Sequence, residues 1–148
     1  MFTNISKLFF RGEGGWGGDR GPNEKFEFPD RDADHVIKYA TRTDQALLYR
    51  LNGDRNPLHS DPSFAALGGF PKPILHGLCT YGFTGRALLH AVCDSDPELF
   101  RSMGGRFSSP VMPGEDLEIH IWAGEGQAKF RTYASDRVVL DNGLMTCV

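Results

Sequence analysis

The sequence predicts an α+β domain in which one long helix packs against a set of antiparallel strands. Two observations carry this reading. The segment from Ile74 to Cys93 places Leu75, Leu78, Cys79, Phe83, Ala87, Leu88, Ala91 and Val92 in one run without an internal proline. That run is longer than a strand uses and reads as the main helix. Beyond Pro113-Gly114 the period changes to two: Leu117, Ile119 and Ile121 alternate with Glu118, His120 and Trp122, and AKFRTYAS repeats the alternation after the turn-like Gly124-Glu125-Gly126.

The remaining elements follow in chain order. From Arg11 to Pro22, six of twelve residues are glycine, a composition that forfeits too much backbone entropy for a helix or a central strand. It reads as a surface loop. A glycine loop that cradles phosphate runs from a strand straight into a helix, whereas FEFP follows here. Residues 1–25 are therefore an N-terminal segment and 26–148 the folded domain. DHVIKYA, Asp34 to Ala40, alternates as a strand. Thr43 offers a capping hydroxyl to a short helix over DQALLYRLN, which Asn52-Gly53 ends. Gly77, Gly82 and Gly85 each cost the main helix about 1 kcal/mol relative to alanine. Close approach of a sheet or ligand, or a non-helical first turn around Gly77, would offset them. RVVLDNGLMTCV is a further strand, or a hairpin if Asn142-Gly143 turns the chain.

Composition bounds the function. With 148 residues, 40% hydrophobic and 24% charged, the chain is one globular domain, able to bury roughly 68–70% of its unfolded surface without disulfides or metal. Sixteen Lys and Arg against nineteen Asp and Glu give a net charge of −3, and no basic run tracks a phosphate backbone, so nucleic acid is not an expected partner. Cys79, Cys93 and Cys147 are odd in number and form no CxxC pair, as expected of reduced thiols in a cytoplasm. Neither an export signal nor an apolar run of membrane-spanning length is present in the sequence, so no membrane association is expected.

The chemistry-bearing residues gather between Tyr49 and Phe64, YRLNGDRNPLHSDPSF, where Asp54, Asn56, His59 and Asp61 lie in a segment broken by Gly53, Pro57 and Pro62. Read from the residues alone, Asp and Asn are ordinary turn formers, and an Asp and a His five apart across an Asn-Pro turn are equally able to converge on one small molecule. The wording of the segment is more specific. GDRNPLH with SDPSFA, then PILHGLCTYGF, then RFSSPVMPGEDL from Arg106 to Leu117, resembles the MaoC-like or type 2 enoyl-CoA hydratase family from about Phe26 to the C-terminus.

The resemblance implies a hot-dog fold, an antiparallel sheet wrapped around the central helix, with Gly82 and Gly85 admitting the sheet. It implies (R)-specific hydration of a trans-2-enoyl-CoA to the (3R)-3-hydroxyacyl-CoA, or the reverse dehydration. Asp54 and His59 would be the catalytic pair acting on water, with Asn56 orienting the loop or the water. Arg55, Pro57, Leu58, Gly77 and Phe107 would lie against the substrate, Gly77 through its N–H at the helix start. Arg106, Lys72 and Arg101 read as solvated surface charges, as does the acidic group Asp94, Asp96 and Glu98. His59, His76 and Cys79 offer three metal-ligating atoms, but the short paired spacings of a zinc site are missing. Neither metal nor cofactor is expected.

The chain looks like the catalytic second half of the double hot-dog hydratases. A second copy, or a separate non-catalytic hot-dog protein, would then complete the site for the acyl-CoA thioester. The compartment is the cytoplasm, or the peroxisome in a eukaryote. Two other readings stand beside hydration: an acyl-CoA-binding subunit that needs its partner half for turnover, and an acyl-CoA thioesterase, since the fold is shared.

Overall fold

Alternation along β3 (Asp116–Gly124) sets the sheet. Leu117, Ile119 and Ile121 are fully buried on one face. Its neighbours bring matching residues to the same side: Ile37 of β1 (His35–Ala40) opposite Ile119, and Phe130 of β4 (Gln127–Ala134) opposite Ile121. With β2 (Phe100–Phe107) and β5 (Arg137–Cys147) they form one antiparallel sheet in the order β1-β3-β4-β5-β2. This is a computed structural model, and it describes residues 2–8, 12–18 and 26–148.

The other face of β3 is covered by the strap that precedes β1. Trp122 donates its indole N–H to the Arg31 carbonyl at 3.0 Å, and Phe28 packs on it with ring centroids 5.1 Å apart. The Arg131 guanidinium lies 4.0 Å above the Phe28 ring.

Asn142-Gly143 does not turn the chain: β5 runs straight through it. Phe130 pairs with Gly143 and Thr132 with Leu140, so one residue of β4 faces two of β5. That is a β-bulge, with Asn142 at φ 50°. A Cβ on Gly143 would lie 2.3 Å from the Phe130 carbonyl oxygen, so only glycine fits.

The main helix, α3 (Gly77–Val92), turns Cys79, Thr80, Thr84, Ala87 and Leu88 toward the sheet. The Thr84 hydroxyl bonds the Thr80 carbonyl at 3.0 Å and the Thr132 hydroxyl at 2.8 Å, fixing the helix to β4. It begins three residues later than the expected Ile74, because Leu75 is extended and donates its N–H to Val111 at 2.8 Å. The glycines divide differently from expectation. No atom lies within 4 Å of a Cβ placed on Gly82, so sheet approach does not account for it, and Gly85 meets only the Met103 sulfur at 3.4 Å. Gly77 is the crowded one, 3.2 Å from the Phe107 ring.

Before α3 lie two short helices. α1 (Gln45–Tyr49) continues as a 3₁₀ turn over Arg50–Asn52 and stops at Gly53, φ 108°, as expected. Thr43 does not cap it: Asp44 holds the N-cap position, with its carboxylate on Arg42 at 2.7 Å. Leu47, Leu48 and Leu51 point outward, Leu51 82% exposed. α2 (Pro62–Leu67) is an element the sequence reading missed. Its signal is Asp61-Pro62: the Asp61 carboxylate accepts the Ser63 and Phe64 N–H groups, and proline sits at the first helical position.

Residues 12–18 of the glycine-rich stretch form neither helix nor strand, with Gly12, Gly14, Gly15 and Gly17 at positive φ. Arg11 and residues 19–25 lie outside the described residues. Among the described residues no helix is long and apolar enough to cross a membrane.

Candidate active site

The loop between α1 and α2 is built by its own side chains. Gly53 lets the chain reverse after the 3₁₀ turn. The Asp54 carboxylate accepts the Asn56 N–H at 3.2 Å, and the Asn56 amide oxygen accepts the Leu58 N–H at 3.0 Å, capping a second 3₁₀ turn over Pro57–His59. Asn56 thus shapes the loop. His59, 9% exposed, is carried inward at the end of that turn.

The extended residues ahead of α3 receive this loop. Ile74 N–H donates to the Leu58 carbonyl at 3.3 Å, and the Ile74 carbonyl accepts His59 Nδ1–H at 2.8 Å. That bond assigns the proton to Nδ1 and leaves the Nε2 lone pair free. His76, 1% exposed, stacks on His59 with centroids 3.7 Å apart and planes 27° apart, and donates Nε2–H to the Asp54 carbonyl at 3.2 Å. A carboxylate oxygen of Asp54 and a ring nitrogen of each histidine lie within 4.8 Å of one another. One water spans such a separation.

Asp54, rather than Cys79, completes this group of possible ligands. The two imidazoles are stacked with planes 27° apart, unlike the convergent ligands of a tetrahedral metal site. Cys79 is buried, and burial pushes its thiol up to about 11, so it stays protonated.

A cleft of about 280 Å³ opens beside His59, walled by Phe70, Ile74, Gly77, Thr80 and Phe107 among others. Gly77 and Leu78 are the first residues of α3, and their N–H groups have no helical partner. The cleft therefore combines apolar walls, a helix N-terminus able to stabilise an oxyanion, and the His59 ring. A second cleft of about 250 Å³ meets His59 from the other side and includes Lys72 and Leu47.

The structure thus gathers His59, Gly77 and Phe107 around one cleft and sets Asp54, which lines neither cleft, close to His59. Arg55 and Pro57 are exposed, Leu58 is half-buried, and none of the three lines either cleft. Arg101 and Arg106 are exposed on β2, and Asp94, Asp96 and Glu98 are exposed in the loop after α3. Sequence reasoning left His76 inside its motif without a role, although the Ile-x-His-Gly spelling was the signal that it shares the site.

The profile of a family described as MaoC like domain matches residues 25–142. The chain belongs to the MaoC-like family. Similarity extends to the 3-hydroxyacyl-thioester dehydratase Y of Mycobacterium tuberculosis, 53% identical over 97% of this chain and 53% of that protein. The probable enoyl-CoA hydratase 2 of Dictyostelium discoideum is 53% identical over 82% of this chain and 42% of its own length. Among solved structures, the full-length peroxisomal multifunctional enzyme type 2 from Drosophila melanogaster superposes with a TM-score of 0.82 at 41% identity, covering 88% of this chain and 25% of that one. The fold of this MaoC-like domain is the hot dog, an antiparallel sheet with one long helix against it. It spans about half the length of the two named relatives.

Proposed function

We propose that this MaoC-like domain hydrates a trans-2-enoyl-CoA to the (3R)-3-hydroxyacyl-CoA and catalyses the reverse dehydration. The observation that carries the reading is the Asp54 carboxylate held within one water's span of His59, whose Nδ1–H is tied to Ile74. A water bound by both is aligned toward C3 of the substrate. As its oxygen bonds to C3, one water proton passes to the pair, the C2–C3 π electrons move to the thioester as an enolate, and a proton returns to C2. The enolate oxygen meets the unpaired N–H groups at the start of α3. The names of the two relatives, a hydratase and a dehydratase of acyl thioesters, support the same chemistry.

The substrate site calls for a partner half. Asp54 is exposed, and around the loop Leu47, Leu48, Leu51, Phe64 and Leu67 stand in solvent, Leu67 at 87%. Enolate chemistry needs water excluded from all but one position. A second hot-dog domain seated on this face, a copy of this chain or a separate protein, would supply the missing wall, and relatives about twice as long agree with this. Peroxisomal relatives agree with a peroxisomal setting in a eukaryotic source.

The test follows loss of the conjugated enoyl-thioester absorbance with short and medium trans-2-enoyl-CoAs, with chiral analysis of the product and Asp54→Asn in parallel. Turnover to the (3R) product by the wild type alone is the expected result. Release of free thiol without hydration would replace this reading with a thioesterase. Binding without turnover by a folded chain would leave an acyl-CoA-binding subunit.

A further inference from the structure

His76 does not enter the chemistry above, yet it is the most confined polar side chain of the site. Its ring lies between Tyr49, with centroids 4.7 Å apart, and His59 at 3.7 Å. Its Nε2–H is spent on the Asp54 main-chain carbonyl at 3.2 Å. Its Nδ1 is buried without a hydrogen-bond partner, the one such side-chain atom among the described residues.

Packing alone does not explain an imidazole at this position. A phenyl ring would fill the slot, stack on His59, keep the tilted contact with Tyr49 and leave no orphaned acceptor, which costs stability wherever it is buried. What the imidazole adds is a donor aimed at the backbone of residue 54. That backbone is exposed and follows the flexible Gly53, and its side chain is held from within the loop only by the Asn56 N–H. On the other side, the face of His76 sets the plane of His59, while Ile74, two residues earlier, fixes the rotation of that ring through Nδ1. One stretch of four residues, 74–77, thereby holds His59, Asp54 and the N–H groups facing the cleft in mutual register.

We infer that His76 is a positioning residue of the hydration site: its neutral ring sets the separation of the Asp54 carboxylate from His59 by gripping the Asp54 carbonyl and stacking on His59. The inference rests on the hydration reading proposed above. His76 acts through the pair and lines neither cleft. The groups that face it are Tyr49 from α1 and Asp54 and His59 from the loop. A charged His76 would set a cation against the face of the His59 ring. Burial, and then the nearness of His59, hold its proton affinity below the ordinary histidine value.

The test compares wild type, His76→Phe and His76→Gln for kcat, KM and thermal unfolding, with Asp54→Asn as control. His76→Phe keeps the stack and loses the donor. The expected result is a kcat lowered about 10- to 100-fold, KM within about threefold, and a Tm equal to or above that of the wild type because the orphaned nitrogen is gone. His76→Gln, with a donor of similar reach but no ring, is expected to recover part of kcat at a lower Tm. Retention of full kcat by His76→Phe overturns the inference, as does a joint fall of kcat and Tm with no recovery in His76→Gln. Ring-nitrogen NMR of the wild type decides the question without a variant: His76 is expected neutral with the proton on Nε2 at about pH 7 to 8, above the ordinary histidine value, and a charged ring there or an Nδ1–H tautomer overturns it. A wild type inactive both alone and with a second hot-dog half, or an unimpaired Asp54→Asn, strikes the hydration reading instead, which keeps the two failures distinct.

Discussion

Asp54 and His59 differ in what their loss does to the fold. The Asp54 side chain is exposed and accepts one N–H within its own loop, so Asp54→Asn leaves the Tm within roughly 2 °C while lowering kcat about 10²- to 10⁴-fold, as parallel melting and turnover assays would show. His59→Gln loses the Ile74 bond as well and falls in both. Gly77→Ala tests the oxyanion end: its Cβ would come 3.2 Å from the Phe107 ring, which lines the same cleft and must give by a few tenths of an ångström. A kcat/KM reduced about tenfold with stability unchanged or improved, since alanine favours a helix, is the expected outcome. His76 sets an acid limit. Its folded-state pKa lies below the ordinary 6.5, through burial first and His59 second, so the unfolded chain binds a proton that the folded chain refuses. This contribution is complete above pH 6.5 and is lost as pH falls from there through the folded-state value. Denaturant midpoints at decreasing pH should fall in the wild type, with a shallower fall in His76→Phe. The pair was legible as spelling, GDRNPLH, but the stack of His76 on His59 was not, because the two rings come from elements 17 residues apart in the chain, positions 59 and 76.

At the scale of the elements, glycine has different uses at different positions. Gly143 sits where β5 bulges, and Gly143→Ala would force a Cβ to 2.3 Å from the Phe130 oxygen. A loss of about 3 kcal/mol or more, read from chemical unfolding, is expected, as for overpacking against a backbone that cannot retreat. Asp61→Ala removes the cap of α2 and should cost about 1 kcal/mol, and because α2 follows directly on His59, the same variant reports how firmly that ring is held. The strands β3 and β4 were legible from their alternation. The bulge in β5 was open between a turn and a strand because both use Asn-Gly, and the choice was made by Phe130 and Thr132 of the neighbouring strand. The start of α3 was misplaced for a related reason: the apolar run continues through Ile74 and Leu75, but their N–H groups are taken by Leu58 and Val111.

The whole molecule presents an exposed Asp54 together with exposed leucines on the elements that flank its loop. If a partner completes the site, specific activity rises with protein concentration for a self-associating chain, or on addition of a second hot-dog half, and light scattering gives the matching mass. Specific activity independent of concentration in a monomer would rule the partner out. Composition, period and motif by themselves determined the α+β class, the long helix, the meander after Pro113 and the spelling of the GDRNPLH loop, because each is written in local spacing. Tertiary structure alone decided which glycines are crowded, which tautomer His59 holds, and that His76 bridges Asp54 to His59. Those depend on distances between segments far apart in the chain, which no local pattern records.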